Sequence, residues 1–517
     1  VRVVVLGDIG QSIYHVGDEA MTHAVVDELQ ARGITDIVLL SRNPEQSSKL
    51  YGTAAVKTLK FPWPPNRRET YLKEIQAVLA GDMDALPAAD QVHTLIETIK
   101  SSDGVVIAGG GNMNSPYGWL LYERAAVGAI ANALDKPLVI SGQTVGPVLT
   151  GPDYDAAVEL FRSAALSSVR EQTSFELMRE AGVPAGLTLD DASFLKAGPV
   201  DAAYSSAVPT YQPSPDRPYI VASFAPGTGA MDRDDFNQGV ADLLDRIADA
   251  GQVDVVMVPH MSRPGNRDMD METHEDIRRR MRSKNVTVCG QFTAEDAASL
   301  TMRAEFVVAS RYHPIVFALA VGVPCLGIAV DYYGEVRLGG ALANWGLGHT
   351  LRSLRHVVTP GFDDYVDLLW NRRNDIRAYL QDLSPAQSSF QSTWWDAVVE
   401  TLKGATLDAP VLSTPEPVFP ELHSGEHPAA AKLTANNESH IGHQSVELYR
   451  LTHALEDTTG TLAAVEAEHE KLRVALEDSA GKLSAVETES NELQNQLRAL
   501  ETSLVVRVAR RLKLLRA

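Results

Sequence analysis

Cysteine is almost absent from this chain, with two in 517 residues, Cys289 and Cys325. They lack zinc-ligand spacing and lie in or beside apolar runs, so they read as buried free thiols in a reducing compartment. Long apolar stretches are lacking as well. The longest, Ile315 to Val330, is too short for a membrane span and contains Gly322 and Pro324, so it reads as a helix, a turn and a buried strand. The opening VRVVVLGD is a short β-rich run without a signal peptide's long apolar region. Positive charge is in deficit: 46 Lys and Arg face 67 Asp and Glu, for a net charge of −21. That balance excludes a general nucleic-acid binder, which needs a basic field to displace counterions from phosphates. It also gives weight to each local basic cluster, since an acidic protein that binds an anion must bring Arg, Lys or helix N-termini to it. The expected setting is cytoplasmic, with any membrane association at the inner surface.

What is present is a regular alternation. Apolar β runs at Val3–Leu6, Ile37–Leu40, Val105–Ala108, Leu138–Ser141, Ser168–Arg170 and Leu187–Leu189 are separated by helix-like segments. A second set follows at Tyr219–Phe224, Val253–Val258, Val286–Val288, Phe306–Ala309 and Cys325–Ala329. Strands alternating with helices predict parallel sheets covered on both faces. The fold class is therefore α/β, with two tandem Rossmann-like doubly wound domains at 1–200 and 217–403, joined by an aperiodic linker at 201–216. Trailing helical residues Asp364 to Lys403 are placed to pack back across the junction.

From 404 to 445 the text turns to Pro, Ala, Ser, Thr, His and Asn, the composition of a flexible linker. A heptad pattern then runs through 446–506, broken only by Thr458, His469, Ser479 and Ser490, and specifies a coiled coil. ALEDTTGTLAAVEAE from Ala454 recurs as ALEDSAGKLSAVETE from Ala475, a step of three heptads. The leucine stripe calls for a partner, most simply a homo-oligomer. The tail at 507–517 carries Arg507, Arg510, Arg511, Lys513 and Arg516 with no acid. It suits either peripheral contact with an anionic membrane or a helix end complementing its own dipole.

Several predicted strands end in chemistry-bearing residues, and strand C-termini are where open parallel sheets bind ligands. Gly7 to Ala20 includes Asp18 and Glu19 at a helix start, able to complement the macrodipole or to orient an acceptor hydroxyl. Gly109-Gly110-Gly111-Asn112 permits a tight turn and close ligand approach. Gln143 and Thr144 can donate to a ligand, and Arg170 follows another strand. In the second half, His260 ends one strand and Arg311-Tyr312-His313 another, ahead of an apolar helix. Arg offers a planar fork for carboxylate or phosphate, His transfers protons near neutral pH, and the helix N-terminus adds a positive end. Arg311 and His313 thus form an anion site with proton-transfer capacity.

Taken in order, GDEA at 17–20, GGGN at 109–112, SGQTVGP at 141–147, VRE-x-x-S at 169–174, LDDASF at 189–194, VPH at 258–260 and SRYHPIVFALAVGVP at 310–324 resemble the polysaccharide pyruvyl transferase family over about residues 1 to 350. The resemblance implies a GT-B-like fold and transfer of a pyruvyl group from phosphoenolpyruvate to two sugar hydroxyls, giving a ketal and phosphate. It implies that Arg170, Arg311 and His313 hold or activate the donor, with Tyr312 where the family often has Leu. On this reading Gln143 and Gly110 border the donor, while Asp18, Glu19, His260 and Asn112 lie toward a sugar or glycan acceptor, free or lipid-linked. No cofactor and no metal are called for. Two other classes remain open: a nucleotide-sugar glycosyltransferase, with Glu335 toward the donor ribose, and a non-catalytic glycan-binding scaffold that oligomerises through its coil.

Overall fold

The computed structural model describes residues 1–61, 67–149, 151–196, 217–229, 231–263, 265–359, 361–405, 417, 419 and 428–514. The chain divides into two compact units, Val1–His453 and Ala454–Ala517. The first contains both sheets.

In chain order the strands are β1 (Arg2–Leu6), β2 (Tyr14–His15), β3 (Asp36–Ser41), β4 (Ala54–Lys57), β5 (Gly104–Ile107), β6 (Gly110–Met113), β7 (Leu138–Val145), β8 (Leu166–Val169) and β9 (Gly186–Leu187). They are followed by β10 (Tyr219–Ser223), β11 (Asp254–Met257), β12 (Met261–Ser262), β13 (Val286–Val288), β14 (Val307–Ala309), β15 (Cys325–Ala329) and β16 (Leu351–Ser353). The first sheet has the order β4-β3-β1-β5-β7-β8-β9, with β6 also pairing to β7; the second is β13-β11-β10-β14-β15-β16. All pairs in both sheets are parallel. Helices cover both faces, so Val3 to Leu6 and Val105 to Ala108 are fully buried and their sequences read as unbroken apolar runs.

The predicted strands are all present, with shifted ends. The largest shift is in β7, which continues through Gln143 and Thr144 to Val145. Those two residues therefore lie within a strand and not beyond one. The cause is lateral pairing: Gly110 of β6 on one side and Val169 of β8 on the other both register with Gln143, holding it extended.

Two features join the domains. Strands β2 and β12 form an antiparallel pair, Tyr14 opposite Ser262 and His15 opposite Met261. The helix Phe362–Leu402 begins in the core of the second domain, through Leu369, Trp370, Ile376 and Leu380. It ends in a core of the first, through Trp394, Trp395, Val398, Val399 and Leu402. The expected return across the junction is thus made by one continuous helix.

The predicted linker at 201–216 lies outside the described residues, as does most of 406–427. Residues 428–445, expected to be linker, are helical: the last helix runs Pro428–Leu514. Pro at its first position and Ala429 to Ala431 behind it are favourable helix-starting residues, which the reading by apolar period passed over. Among the described residues no helix is long and apolar enough to cross a membrane. Cys289 and Cys325 are both buried thiols, and no disulfide joins them.

Candidate active site

The C-terminal ends of the two sheets face one another across the junction, and the polar residues singled out above are gathered there. Arg170 follows β8 and is 1% exposed. Its Nη1 donates to Asp190 and its Nε to Thr144 Oγ1 at 2.9 Å, while its guanidinium lies 4.4 Å from the centroid of the Tyr312 ring in the other domain. Burial opposes its charge, but the neighbouring Tyr312, Asp190 and Glu171 more than offset this and hold the guanidinium protonated. Asn344 of the second domain donates to the Arg170 carbonyl at 2.8 Å, so the backbone is held from the same side.

His313 is the second residue of the helix Tyr312–Ala320 and lies beside Asp190 with its side chain 12% exposed, its Nε2 3.8 Å from that carboxylate and without a hydrogen-bond partner among the described residues. Its ring lies over Gly17 of the helix Val16–Ala31, where any side chain would overlap it. Burial pushes its pKa down to about 4; Asp190 opposes that shift and Arg170 adds to it. The imidazole is therefore neutral at pH 7 in the free protein.

Arg311 is turned differently. Its Nε donates to Asp270 at 3.0 Å and its Nη2 to the other oxygen of the same carboxylate. Asp270, fully buried, also accepts from the backbone N–H groups of His260 and Met261 at 3.0 Å each. One carboxylate thus fixes Arg311 and the turn bearing His260. His260 is buried with both ring nitrogens unpartnered among the described residues, and burial, then His313 and Arg311, keep it neutral.

Asp18 and Glu19 point to different surroundings. Asp18 is 19% exposed and bonded to His15 Nδ1 at 3.1 Å. Burial raises its pKa, but His15, His313 and Arg124 outweigh that and hold it below the usual carboxylate range. Glu19 is turned inward, accepting from Tyr51 Oη and from Gly10 N at 3.3 Å, and burial lifts it to about 7. Asn112 is buried and donates to Asp8 at 3.3 Å. Gln143 is fully buried; its amide nitrogen donates to the Ala108 and Ser141 carbonyls, and its Oε1 has no partner among the described residues. At Gly110 a Cβ would stand 3.1 Å from both Gln143 Oε1 and Asn112 Oδ1. At Gly111 it would stand 2.5 Å from Tyr333 Oη and 2.9 Å from Arg170 Nη2. The glycine run is the floor over which these side chains converge.

Sequence reasoning missed four contributors. Arg124 is completely buried, with Nε and Nη2 unpartnered among the described residues and Nη2 directed toward Gly110. Arg337 stacks on Tyr333 at 3.7 Å and approaches Tyr312 at 5.7 Å, with its Nε unpartnered among the described residues. Asp190 was inside a quoted motif but assigned no role, and His15 was passed over. The signal for Arg124 was an arginine on the face of a helix otherwise buried, which becomes visible only once the burial is known. A pocket of about 590 Å³ opens on the same edge of the first sheet, lined by Arg42, Lys57, Thr58, Leu59, Lys60, Phe61 and Trp119. Arg42 joins it to the site, pairing with Asp8 at 2.8 Å and Glu123 at 3.1 Å.

A Listeria monocytogenes protein described as a UDP-N-acetylglucosamine 2-epimerase aligns in structure over 81% of this chain and 100% of its own, at 12% identity and a TM-score of 0.50. A Neisseria meningitidis UDP-GlcNAc 2-epimerase bound to UDP-GlcNAc aligns over 78% and 100% at 13% identity, with a TM-score of 0.47. A spinosyn rhamnosyltransferase complexed with spinosyn aglycone aligns over 78% and 100% at 14% identity, with a TM-score of 0.41. At these identities the likeness concerns fold, two facing Rossmann-like domains of GT-B type. No curated protein sequence matches. A model of the polysaccharide pyruvyl transferases matches residues 15–332, the span that holds Asp18, Arg170, Asp190, Arg311 and His313, and the chain belongs to that family.

Proposed function

We propose that the protein transfers a pyruvyl group from phosphoenolpyruvate to a sugar of a cell-surface polysaccharide or its precursor, forming a cyclic ketal and releasing phosphate. The observation that carries this reading is a cluster of cationic and neutral donors drawn from both domains. In it Arg124, Arg337 and His313 keep nitrogens without a hydrogen-bond partner among the described residues, beside the buried Arg170–Asp190–Tyr312 stack. A small trianion needs such a set, and the glycine floor lets it lie close to backbone.

In this reading Arg337 and Arg311, both partly exposed, take the donor's phosphate and carboxylate, while the buried Arg124 and Arg170 supply positive charge from the wall behind them. Arg311, already paired with Asp270, reaches the donor with its remaining nitrogen. A proton is added to the methylene carbon of the enol phosphate, leaving a cationic carbon stabilised by the ester oxygen. A sugar hydroxyl attacks that carbon and loses its proton. The carbon–oxygen bond to phosphate then breaks, and a second hydroxyl attacks the regenerated cation. One hydroxyl proton balances the new methyl group and the other leaves with phosphate. His313 is the proton carrier: neutral in the empty site, it gains a proton as the anion arrives. Asp18, ionised and partly exposed beside His15, orients the hydroxyls. The acceptor approaches by the pocket of Phe61 and Trp119, whose rings suit a sugar face and whose Arg42, Lys57 and Lys60 suit an acidic or phosphate-bearing glycan.

The test is to incubate the protein with phosphoenolpyruvate and candidate glycan intermediates, following phosphate release and the acceptor's mass. Stoichiometric phosphate and one ketal-linked pyruvate per acceptor are expected, with both signals lost in Arg124→Ala. Thermal stabilisation by nucleotide sugars alone, with none by phosphoenolpyruvate, would refute the reading.

A further inference from the structure

The last helix presents an apolar face that its own unit leaves uncovered. Leu455, Leu462, Leu472, Leu476, Leu483 and Leu497 are each 58–70% exposed. The seam alternates in steps of three and four, with a positions recurring every seven residues from Leu455 to Leu497 and d positions from Thr458 to Leu493. Its polar breaks are Thr458 and Ser479 at d, and His469 and Ser490 at a.

We propose that this face binds a second copy of the chain, as a parallel, in-register, two-stranded coiled coil. The core layers restrict the choice. In register, every polar layer meets its own copy and every apolar layer does the same. The three-heptad duplication would permit a slip by one repeat, but that sets Ser479 against Leu500 and His469 against Leu448. An antiparallel alignment with Leu472 opposite Leu476 also matches layers, Thr458 with Ser490 and His469 with Ser479, so the core does not choose between these two.

The flanking charges do choose. In the parallel pair each g position faces the following e position of the other chain. Glu468 then meets Arg473 and Lys482 meets Glu487, each twice by symmetry, and no like charges face one another. In the antiparallel pair g faces g and e faces e. Glu468 still meets Lys482, but Arg473 meets its own copy and Glu487 meets Thr459. These side chains can reach across: Arg473 is 49% exposed and Lys482 75%, and their ion-pair partners among the described residues, Glu470, Glu477 and Asp478, are exposed on the same helix. Two strands suit four polar layers, because a and d side chains remain partly open to water in a dimer and become enclosed in larger bundles. Gly460 and Gly481 fall at the f position, facing away from the partner, where their cost is to helix propensity and not to packing.

The experiment uses the full chain. Light scattering on the unaltered protein at tens of micromolar is expected to give the mass of two chains. Leu462→Cys should form an interchain disulfide on mild oxidation, since the native cysteines are buried and the two substituted positions face one another. In the antiparallel arrangement residue 462 lies opposite Val486 and about 36 Å from its own copy. Glu487→Lys should weaken the dimer roughly fivefold or more by placing it against Lys482, and Lys482→Glu with Glu487→Lys should restore it. The antiparallel pair predicts no effect of the first change and weakening by the double exchange. A monomer, a trimeric mass, or cross-linking only when Leu462→Cys is combined with Val486→Cys would overturn the proposal. Retained pyruvyl transfer and helicity in each variant show that the chain is folded.

Discussion

At the scale of single residues the site rests on close approach and on burial. Gly17 admits the His313 ring, so Gly17→Ala should lower kcat at least tenfold by displacing the imidazole, with Tm changed by only a few degrees; steady-state kinetics and a melting curve separate the two effects. His313, held near pKa 4 by burial, should take up a proton when an anion binds. Calorimetry of phosphoenolpyruvate binding at pH 6.5 in buffers of differing ionisation enthalpy should show uptake, and His313→Gln should remove that component. Three buried carboxyls act on stability in the opposite sense from an ordinary ion pair. Glu19, Glu171 and Asp191 are lifted to about 7, by burial above all, from unfolded values of 4.5 and 3.8. Their contribution is complete below the unfolded values and is lost as pH rises through 7. Tm should therefore fall from about pH 4.5 to about pH 7 and level off above that, and Glu19→Gln should flatten that fall.

At the scale of elements, the helix Phe362–Leu402 fixes one domain against the other. Trp394, 1% exposed, donates from Nε1 to Ser141 Oγ at 3.0 Å, and Ser141 in turn donates to Asp191 at 2.6 Å. Asp191 also receives the Gly109 N–H at 2.7 Å, so the chain of bonds ends at the glycine floor of the site. Trp394→Ala should destabilise by about 3–5 kcal/mol in denaturant titration. It should also raise KM for the donor, which a purely structural loss in a remote core would not do. The sequence predicted most of these elements because buried parallel strands are apolar from end to end. The helix Asp270–Arg280 begins on Asp270, an acid whose role is set by Arg311 and by backbone groups ten residues away, which no local pattern encodes.

At the scale of the molecule, every residue of the candidate site lies ahead of residue 428. Removing 428–517 should leave phosphoenolpyruvate binding within twofold by thermal shift. The same truncation should abolish sedimentation with anionic lipid vesicles if the basic run Arg507–Arg516 lies on a membrane surface; unchanged sedimentation would assign that run to helix capping alone.

The sequence by itself determined the two α/β domains, the last helix with its leucine seam, and the family, because periodicity and ordered motifs are local properties. It also singled out Arg170, Arg311 and His313 by residue type at strand ends. Only the tertiary structure decided how those cations are used. Arg170 is bound into a buried stack with Asp190 and Tyr312, Arg311 is paired with Asp270, and the fully buried Arg124 keeps two nitrogens without a partner among the described residues. How far Arg170 and Arg311 are neutralised depends on carboxylates brought from elsewhere in the chain, Asp190 and Asp270, and no local spacing encodes that.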